Sequence, residues 1–516
     1  MAERTSMNLT VVSYLMFQPV IQSSKPNLGA SFDLGLEMLS QRYQLNATVH
    51  YVGSPLVDTT NGMIENLYLI SEFYYTQWDK NGVLVLVCPG SEEVPEIGLL
   101  AKEWDILLLS TSNSYAKFRN REAYATTVAP SPLQYGVFTQ VFVSLFQKFH
   151  WRTFTIIRDG SGAGPFHASW AEVATVRFRR EGFNFFSINI GSRNSNTSDQ
   201  LVKSSLKEAA RHSRIVVLAM RGNHIRKYLL QAARLGMTNG EYVFFYFEPY
   251  DSPRWFGKLS CTDSSDISND QAAADAFRFL FRISSCKLKQ SSSSARLLSE
   301  IRQRGIDKYN VSPSPDEGPT QITTAVYSAL DMLGQVINQS RSSSMGSMRG
   351  TDLASVFLNR TFYLELEDVF INQFGERQSN YCMADFDRSS GNFHTVLRFD
   401  GSTGELSFAP NGTINWGSPN NQPIDDEPRC GFRGEKMVCT QANRTDALIA
   451  GVVVAVILVL LVIGTIVRFN RTSWKLEYDT WWILTGEHIH QKEKLTKALS
   501  RRSGLSDYSM GYSIAI

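Results

Sequence analysis

The first part of the chain alternates short apolar runs with longer amphipathic stretches. LTVVSYLMF from Leu9, VLVLV from Val83 and DILLLS from Asp105 have the length and the aliphatic or β-branched composition of buried strands. Helical patterns occupy Asn27–Tyr43 and Met63–Trp78. Near-continuous apolar strands separated by helices are typical of a parallel sheet covered on both faces. The pattern therefore predicts a doubly wound α/β unit.

The same alternation restarts near Leu133 and predicts a second doubly wound unit. Helices are expected at 133–149, 166–180, 199–212 and 223–235, with the strands RTFTII, FNFFSINI, RIVVLAM and EYVFFYF between and after them. A Ser-rich, polar stretch over 251–316 predicts an irregular insertion around helical segments, followed by a helix over 320–338 and a β-rich return over 362–414. A chain that builds two lobes and then revisits both predicts a hinged cleft in which a bound ligand stabilises closure.

A membrane span follows this region. Residues 447–467 read ALIAGVVVAVILVLLVIGTIV, which is 21 residues without a charge. A helix of that length, at about 1.5 Å per residue, crosses roughly 30 Å of hydrocarbon, and a core helix this long usually keeps a polar face. Asp446 precedes the span, whereas Arg468, Arg471 and Lys475 follow it. The positive-inside rule therefore places the C-terminus in the cytoplasm and the larger part of the chain outside.

These patterns define the predicted domains. The ligand-binding region is 8–415, with 8–128 and 250–355 in one lobe and 129–249 and 356–415 in the other; 416–446 is a membrane-proximal stalk, 447–467 the transmembrane helix and 468–516 a cytoplasmic tail. The N-terminal segment MAERTSMNLTVVSYLMFQP lacks a basic region, a sustained apolar stretch and a cleavage site. We therefore expect a signal peptide to be missing from this sequence.

The cysteines and glycosylation sequons agree with an extracellular location. All six cysteines precede the span, as expected in an oxidising compartment. Cys430 and Cys439 enclose a short loop that a disulfide closes readily, and Cys261 and Cys286 are expected to pair across the polar insertion, while the pairing of Cys88 and Cys382 stays open. Eight Asn-x-Ser/Thr sequons also precede the span, at Asn8, Asn46, Asn196, Asn310, Asn338, Asn359, Asn411 and Asn443. Chance alone would supply several, so they are supporting evidence only.

Charge and motifs give no indication of an enzyme. The formal net charge is +2, so there is no reason to expect a nucleic-acid partner. GSGAG from Gly160 matches neither a Walker loop nor a complete GxGxxG, and a strand-to-helix turn is the simpler interpretation. The sequence contains no HExxH, no GxSxG and no paired CxxC, and its histidines form no ligand-spaced cluster. We assign no catalytic residue, no metal site and no organic cofactor.

Several segments resemble the natriuretic-peptide-receptor and membrane guanylyl cyclase family. INWGSPNNQPIDDEPRCGFRGEKMVC, from Ile414 to Cys439, is similar to the family's membrane-proximal segment with its small disulfide loop. EYVFFYFEPY from Glu241, NRTF from Asn359 and FGERQSNYCMADFD from Phe374 resemble further landmarks in the same order. The resemblance covers nearly the whole region before the span. It implies a bilobal fold of the periplasmic-binding-protein type I kind.

The resemblance also suggests an anion site. CPGS from Cys88 resembles the family's Gly-Pro-Gly-Cys turn, whose backbone amides bind a chloride ion in natriuretic receptors, and Gly90 and Ser91 are the matching positions. A plain turn is the alternative interpretation. Ser91 stands where the family has cysteine, and no cysteine precedes Cys88, so that family disulfide is missing as a pair.

The ligand-contacting residues of the family are not reproduced clearly. GPFHASWAEV offers Phe166, His167, Trp170 and Glu172 as candidate ligand-binding residues, although this is not the family's pattern. Ordinary packing of an amphipathic helix is the alternative for all four. A peptide remains the first candidate ligand, without a natriuretic assignment.

The tail resembles the juxtamembrane segment of receptor cyclases. From Arg468 to Ile516 only 49 residues follow the span, too few for a cyclase core. We therefore expect a single-pass plasma-membrane receptor, truncated before the kinase-like and cyclase domains, that forms a homodimer or a heterodimer with a full-length receptor cyclase. A clearance or decoy receptor is the second hypothesis. A solute-binding protein for an amino-acid-like ligand is the third.

Overall fold

The computed structural model describes residues 7–90, 92–112, 115–160, 165–191, 198–248, 252–314, 317–342 and 348–480. The chain divides into two units, Met1–Pro428 and Arg429–Ile516. The first unit contains the α/β lobes, and the second contains a small disulfide loop and one long helix.

The first lobe is built on a parallel sheet in the strand order β2-β1-β3-β4-β5. Its elements, in chain order, are β1 (Met7–Tyr14), α1 (Lys25–Tyr43), β2 (Leu45–Val52), α2 (Thr60–Glu65), α3 (Tyr68–Glu72), β3 (Val83–Cys88), α4 (Val94–Glu103), β4 (Leu107–Ser110) and β5 (Thr127–Val128). Every residue of β3 and β4 is buried, as their continuous apolar sequences predict.

The helix predicted over Met63–Trp78 is interrupted in the structure. It is divided into α2, α3 and a π-helical turn at Phe73–Gln77. The side-chain amide of Asn66 donates a hydrogen bond of 2.8 Å to the carbonyl of Gly62, an acceptor that the Asn66 backbone N–H also uses at 3.2 Å. A side chain that competes for helical carbonyls in this way favours a helix end.

The second lobe follows with a larger sheet. Its elements are α5 (Tyr135–Lys148), β6 (Thr153–Arg158), α6 (Pro165–Arg180), β7 (Asn184–Asn189), α7 (Asp199–Ala209), β8 (Ile215–Ala219), α8 (Gly222–Arg234), β9 (Val243–Glu248), α9 (Pro253–Phe256), α10 (Asp270–Phe277) and β10 (Leu280–Ser285). Because β10 pairs parallel with β9 and α10 packs on α8, residues 270–285 belong to this lobe. This corrects the predicted lobe boundary, in which all of 250–355 belongs to the first lobe.

The chain then returns to the first lobe. The returning elements are α11 (Ser292–Tyr309), α12 (Gln321–Ser342), α13 (Gly350–Phe357) and a small antiparallel sheet of β11 (Arg360–Tyr363), β12 (Asp368–Ile371) and β13 (Arg377–Gln378). Helices α11 and α12 pack on α1. The Ser-rich run that we expected to be irregular starts α11, since the hydroxyl of Ser291 accepts a hydrogen bond from the backbone N–H of Ser294 at 3.0 Å.

Three last strands complete the second sheet. They are β14 (Tyr381–Asp387), β15 (Asn392–Phe399) and β16 (Leu406–Phe408), and the full order is β16-β15-β14-β10-β9-β8-β6-β7. β14 joins β10 antiparallel, so this sheet is mixed rather than wholly parallel. The predicted α/β architecture with two sheets is otherwise confirmed.

The chain passes between the lobes three times, and the crossing segments contact one another. The hydroxyl of Ser379, in the third crossing, donates a hydrogen bond to the carbonyl of Pro132, in the first, at 2.7 Å. The backbone N–H of Cys286, where the second crossing begins, donates to the carbonyl of Asn380 at 3.2 Å. Cys286 is also joined by a disulfide to Cys382. We call these contacting segments the hinge.

The disulfide at the hinge corrects the predicted Cys261–Cys286 pair. Cys286 follows β10 directly and Cys382 lies on the adjacent antiparallel strand β14, so their Cα atoms are 5.0 Å apart. Cys261 lies elsewhere, where its carbonyl accepts a hydrogen bond from the Arg226 side chain at 3.1 Å. Cys88 and Cys261 are both free, and burial raises the pKa of the Cys88 thiol to about 12.

The second unit contains α14 (Met437–Thr480), and the disulfide Cys430–Cys439 closes the loop at its start. Within α14, residues Leu448–Arg471 have a mean hydropathy of 3.2 and are not buried against protein. Among the described residues, this is the one helix whose length and composition suit a membrane span. It overlaps the predicted span 447–467 and is compatible with a single-pass anchor.

Candidate ligand-binding cleft

A pocket lies between the two lobes. The first lobe contributes α1, α11, the start of α12 and the segment 311–320, and the second lobe contributes α9. Helices α1 and α9 follow the carboxyl ends of the parallel strands β1 and β9. Ligands of open α/β sheets commonly bind at this edge.

The buried polar side chain of the first wall is Gln22. It is 7% exposed, it lines the pocket, and its Nε2 has no hydrogen-bond partner in the described part of the chain. The neighbouring Asn27 is fully engaged by comparison, because its Nδ2 donates to the carbonyl of Ile21 and to the hydroxyl of Ser24, both at 2.9 Å. Gln22 is therefore the donor on this wall that a bound molecule can satisfy.

Arg302 of α11 braces the pocket rim. Its Nε donates to the carbonyl of Glu317 at 3.2 Å, and one terminal nitrogen donates to the carbonyl of Ser314 at 3.4 Å. The carboxylate of Glu317 in turn accepts a hydrogen bond from the backbone N–H of Ser314 at 3.4 Å. These contacts hold the segment before α12 in place, so the Arg302 guanidinium is largely occupied.

The opposite wall carries Arg254 and Trp255 on α9. The guanidinium carbon of Arg254 lies 5.1 Å from the centre of the Trp255 ring, and among the described residues Arg254 makes no ion pair. Gly257 ends α9 at φ 76°, a conformation that glycine adopts without strain. A Cβ at Gly257 would lie 2.2 Å from the side-chain oxygen of Asn223, so this glycine also permits α9 to pack closely on α8.

Three of the four ligand-binding residues predicted from the sequence lie in the core of the second lobe instead. Phe166, His167 and Trp170 are buried around Phe247, with ring centres of His167 and Trp170 at 5.2 and 4.4 Å from that of Phe247. Glu172 is exposed, with its carboxylate 3.9 Å from Arg158. The three aromatic side chains therefore contact one another as part of the core. This agrees with the alternative interpretation, the ordinary packing of an amphipathic helix.

His167 has an unusual environment for a titratable group. It is fully buried, and neither ring nitrogen has a hydrogen-bond partner among the described residues. Burial, with a smaller contribution from the positive charge of Arg221, lowers the pKa of His167 to about 3. His167 is therefore neutral at physiological pH.

The turn at Gly90, predicted as an anion site, lies against the carboxylate of Glu93. A Cβ at Gly90 would lie 2.0 Å from Oε1 of Glu93, and Glu93 is buried. The chloride site at this turn stays a prediction. Ser91, the other predicted position, lies outside the described residues.

The described sequons are accessible. Asn46, Asn310, Asn338, Asn359 and Asn411 are exposed and Asn8 is partly exposed; Asn196 and the side chain of Asn443 lie outside the described part. Asn310, Asn359 and Asn411 have φ of 53°, 49° and 59°. Asparagine tolerates this left-handed conformation better than most residues, so these three also have a backbone role. No group of three or more His, Cys, Asp or Glu side chains among the described residues is placed to hold a metal ion.

Comparison with known proteins identifies relatives of this region. A family model described as "Receptor family ligand binding region" matches residues 24–415. The Receptor-type guanylate cyclase gcy-28 of Caenorhabditis elegans is 26% identical over 320 residues, which cover 58% of this chain and 24% of that protein. The Atrial natriuretic peptide receptor 3 of Rattus norvegicus is 22% identical over 368 residues, covering 70% of this chain and 65% of the relative. Guanylate cyclase 2G of Rattus norvegicus is 23% identical over 430 residues, covering 79% and 38%. The chain thus spans less than two thirds of the length of each of these relatives.

Proposed function

Because the chain belongs to the family of receptor ligand-binding regions, we propose that it is a single-pass cell-surface receptor that binds an extracellular peptide. The observation that carries this proposal is the order of its parts. A two-lobed region with a cleft, matched by the family over 24–415, is followed by an apolar helix at Leu448–Arg471. A relative named as an atrial natriuretic peptide receptor supports a peptide as the first ligand to test.

Charges, disulfides and sequons support the orientation. Asp446 precedes the apolar segment and Arg468 and Arg471 lie at its end, so the positive-inside rule places the α/β lobes outside the cell. Two disulfides and six described, accessible sequons all precede the span, which suits an oxidising, glycosylating compartment. We therefore propose the plasma membrane, with the lobes extracellular.

Signalling is proposed to pass through a dimer. Two of the relatives are named guanylate cyclases, yet these 516 residues match only 24% and 38% of them. We propose that the activity of these 516 residues is ligand binding. Cyclic GMP would then come from a full-length receptor cyclase with which the chain dimerises, or be absent where the chain dimerises with itself.

The test is display of the full chain on cells, with an added signal peptide and an N-terminal epitope tag. We expect antibody to reach the tag without permeabilisation, and fractionated secreted peptides from the source organism to contain one that binds saturably. An unrelated single-pass protein with the same tag serves as the control. A tag accessible only after permeabilisation would contradict the orientation. Full surface display without saturable binding by any fraction would contradict the peptide ligand.

A further inference from the structure

We propose that Asn8 and Asn46, the asparagines of two sequons that lie side by side in the first sheet, form a single glycosylation site that carries one N-glycan, on Asn46. The inference concerns covalent modification and not ligand binding. It rests on the extracellular orientation proposed above, because N-glycans are added to chains in the secretory pathway.

The two sequons match residue for residue across a strand pair. β1 pairs parallel with β2, and the register places Asn8 opposite Asn46 and Thr10 opposite Thr48. Alternate side chains of a strand point to the same side of the sheet, and neighbouring strands lie about 4.8 Å apart. Both acceptor asparagines and both threonines of the sequons therefore lie next to one another on one face.

The two asparagine amides are in direct contact. Nδ2 of Asn46 donates a hydrogen bond to Oδ1 of Asn8 at 2.8 Å. The amide nitrogen is the atom to which an N-glycan is attached, and a glycan is a bulky group. Two glycans would thus start from amides that are already at hydrogen-bond distance. A chain that carried both would have to open the start of the β1–β2 pair, so the folded pair has room for one.

The surroundings of the two asparagines select Asn46. β2 is an edge strand of the first sheet, and Asn46 is exposed on it, whereas Asn8 is partly buried on β1 between β2 and β3. On the side of β3, a Cβ at Gly82 would lie 2.8 Å from the Cβ of Asn8, so the backbone passes close to this side chain. The unmodified amide of asparagine has two N–H groups. Asn46 can therefore carry the sugar on one of them and keep the other as a donor.

A glycan on Asn46 would stand at the open edge of the first sheet. Among the described strands, β2 is paired with β1 alone. An edge strand presents unpaired N–H and C=O groups that can pair with another chain, and natural proteins cover or interrupt such edges. The position of this glycan thus suits the protection of the edge.

The experiment uses the full chain, displayed on cells with an added signal peptide and a C-terminal tag. Surface-labelled chain is purified, digested with trypsin and treated with peptide N-glycosidase in heavy-oxygen water, which converts each glycosylated asparagine to a labelled aspartate. Cleavage after Arg42 separates Asn8 from Asn46, so mass spectrometry measures the occupancy of each. We expect most copies to be glycosylated at Asn46 and few at Asn8, with the two occupancies adding up to no more than one glycan per chain.

Matched substitutions test whether one glycan excludes the other. Thr48→Ala removes the Asn46 sequon from an exposed position and leaves both asparagines in place, and Asn46→Gln is a second way to remove the same sequon. We expect the occupancy of Asn8 to rise several-fold in both variants. Thr10→Ala removes the Asn8 sequon instead and should leave the occupancy of Asn46 unchanged. Surface display at the wild-type level shows that each variant is folded.

Two other sequons separate failure of this inference from failure of the receptor orientation. Asn310 and Asn411 are exposed and lie far along the chain from β1 and β2. If they are unmodified as well, the orientation is wrong and this inference fails with it. If they are modified, the shared site is overturned by occupancies of Asn8 and Asn46 that add up to more than one glycan per chain, or by an Asn8 occupancy that does not rise in Thr48→Ala. Higher occupancy at Asn8 than at Asn46 overturns the choice of Asn46, and so does the absence of a glycan from both.

Discussion

The hydroxyl of Tyr43, the last residue of α1, donates a hydrogen bond of 2.6 Å to the carboxylate of Asp331 on α12. Asp331 is 1% exposed and also receives a hydrogen bond from Arg42 at 3.1 Å. The pair joins the first helix of the first lobe to a helix that returns to that lobe late in the chain. A buried carboxylate with two donors thus specifies where the returning segment docks.

Tyr43→Phe should destabilise the first lobe. The ring stays in contact with Gly334, where a Cβ would lie 2.3 Å from the Tyr43 side chain, but one of the two donors to a buried charge is lost. We expect a loss of about 1.5–3 kcal/mol in the free energy of unfolding, measured by urea denaturation of the purified chain. Lys102→Ala, which removes an exposed ion pair with Glu103, is the control and should leave the free energy of unfolding nearly unchanged. Equal effects of the two substitutions would contradict the role of Asp331.

The two disulfides should differ in their contribution to stability. Cys286–Cys382 closes a sequence separation of 96 residues, and Cys430–Cys439 one of 9. Loop-closure entropy predicts a loss of about 4–5 kcal/mol for the double serine variant at Cys286 and Cys382, and a smaller loss for the one at Cys430 and Cys439. The thermal unfolding midpoint of the α/β lobes should fall clearly for the first variant and remain near the wild-type value for the second. A reversed order would show that the hinge bridge is dispensable.

Asp385 should make stability depend on pH in the weakly acidic range. It is buried on β14, its Oδ2 accepts a hydrogen bond from the backbone N–H of Asn415 at 2.8 Å, and burial raises its pKa to about 6. The nearby charges of Arg278 and Asp387 act in opposite directions. The folded state therefore keeps a proton that the unfolded state releases. This stabilisation is complete below about pH 4 and is lost as pH rises through 6.

Asp385→Asn should remove that dependence while retaining an oxygen for the N–H of Asn415. We expect the unfolding free energy of the wild type to lose on the order of 1–3 kcal/mol between pH 4 and 6.5 relative to the variant. Urea titrations at half-unit pH steps measure the difference. Parallel profiles for the two proteins would contradict a raised pKa at this position.

His167 should act in the opposite direction and have no part in ligand binding. Its pKa is lowered to about 3, so below pH 6.5 the unfolded state takes up a proton that the folded state refuses, and stability falls as pH falls towards 3. His167→Leu replaces a buried ring without partners by an apolar side chain. We expect the variant to be less sensitive to acid than the wild type and to bind ligand with unchanged affinity. Weaker binding by a folded His167→Leu variant would return this residue to the candidate site.

These 516 residues should not produce cyclic GMP when expressed alone. The five acids after the span, at Glu477, Asp479, Glu487, Glu493 and Asp507, lack metal-site spacing, and nucleotide cyclisation needs carboxylate-bound metal in a rigid site. If the chain dimerises with a full-length receptor cyclase, co-expression should lower ligand-stimulated cyclic GMP. The measurement is an immunoassay in cells without other receptor cyclases. Ligand-dependent cyclic GMP from this chain alone would contradict the proposal.

Elements with a strong local signal were predictable from the sequence. β3 is a continuous apolar run, β4 and β9 are apolar up to their last residue, and all residues of the three strands are buried. The position of β14 was not predictable, because its antiparallel pairing with β10 depends on where a late segment docks. The predicted Cys261–Cys286 disulfide was wrong for the same reason, because only the pairing of β10 with β14 brings Cys382 beside Cys286.

The candidate site was harder to find than the fold. The spacing of Phe166 and Trp170 along the helix suits a binding surface and a packed helix equally well. Their burial shows that they belong to the packed core. Gln22, Arg254 and Trp255 lie in polar connections without a motif. Their one signal was their position after β1 and β9, at the carboxyl edge of the sheets, where ligands of such folds bind.

The number of hinge crossings decides which lobe leads into the membrane-proximal unit. A chain that starts in the first lobe and crosses three times must finish in the second, and β16 is indeed on the second sheet before the segment that leads to Arg429. Only the second lobe is therefore covalently continuous with the membrane-proximal unit. The first lobe is joined to that unit only through the hinge and the second lobe, so the three hinge crossings are the covalent path by which the two lobes differ in their connection to it.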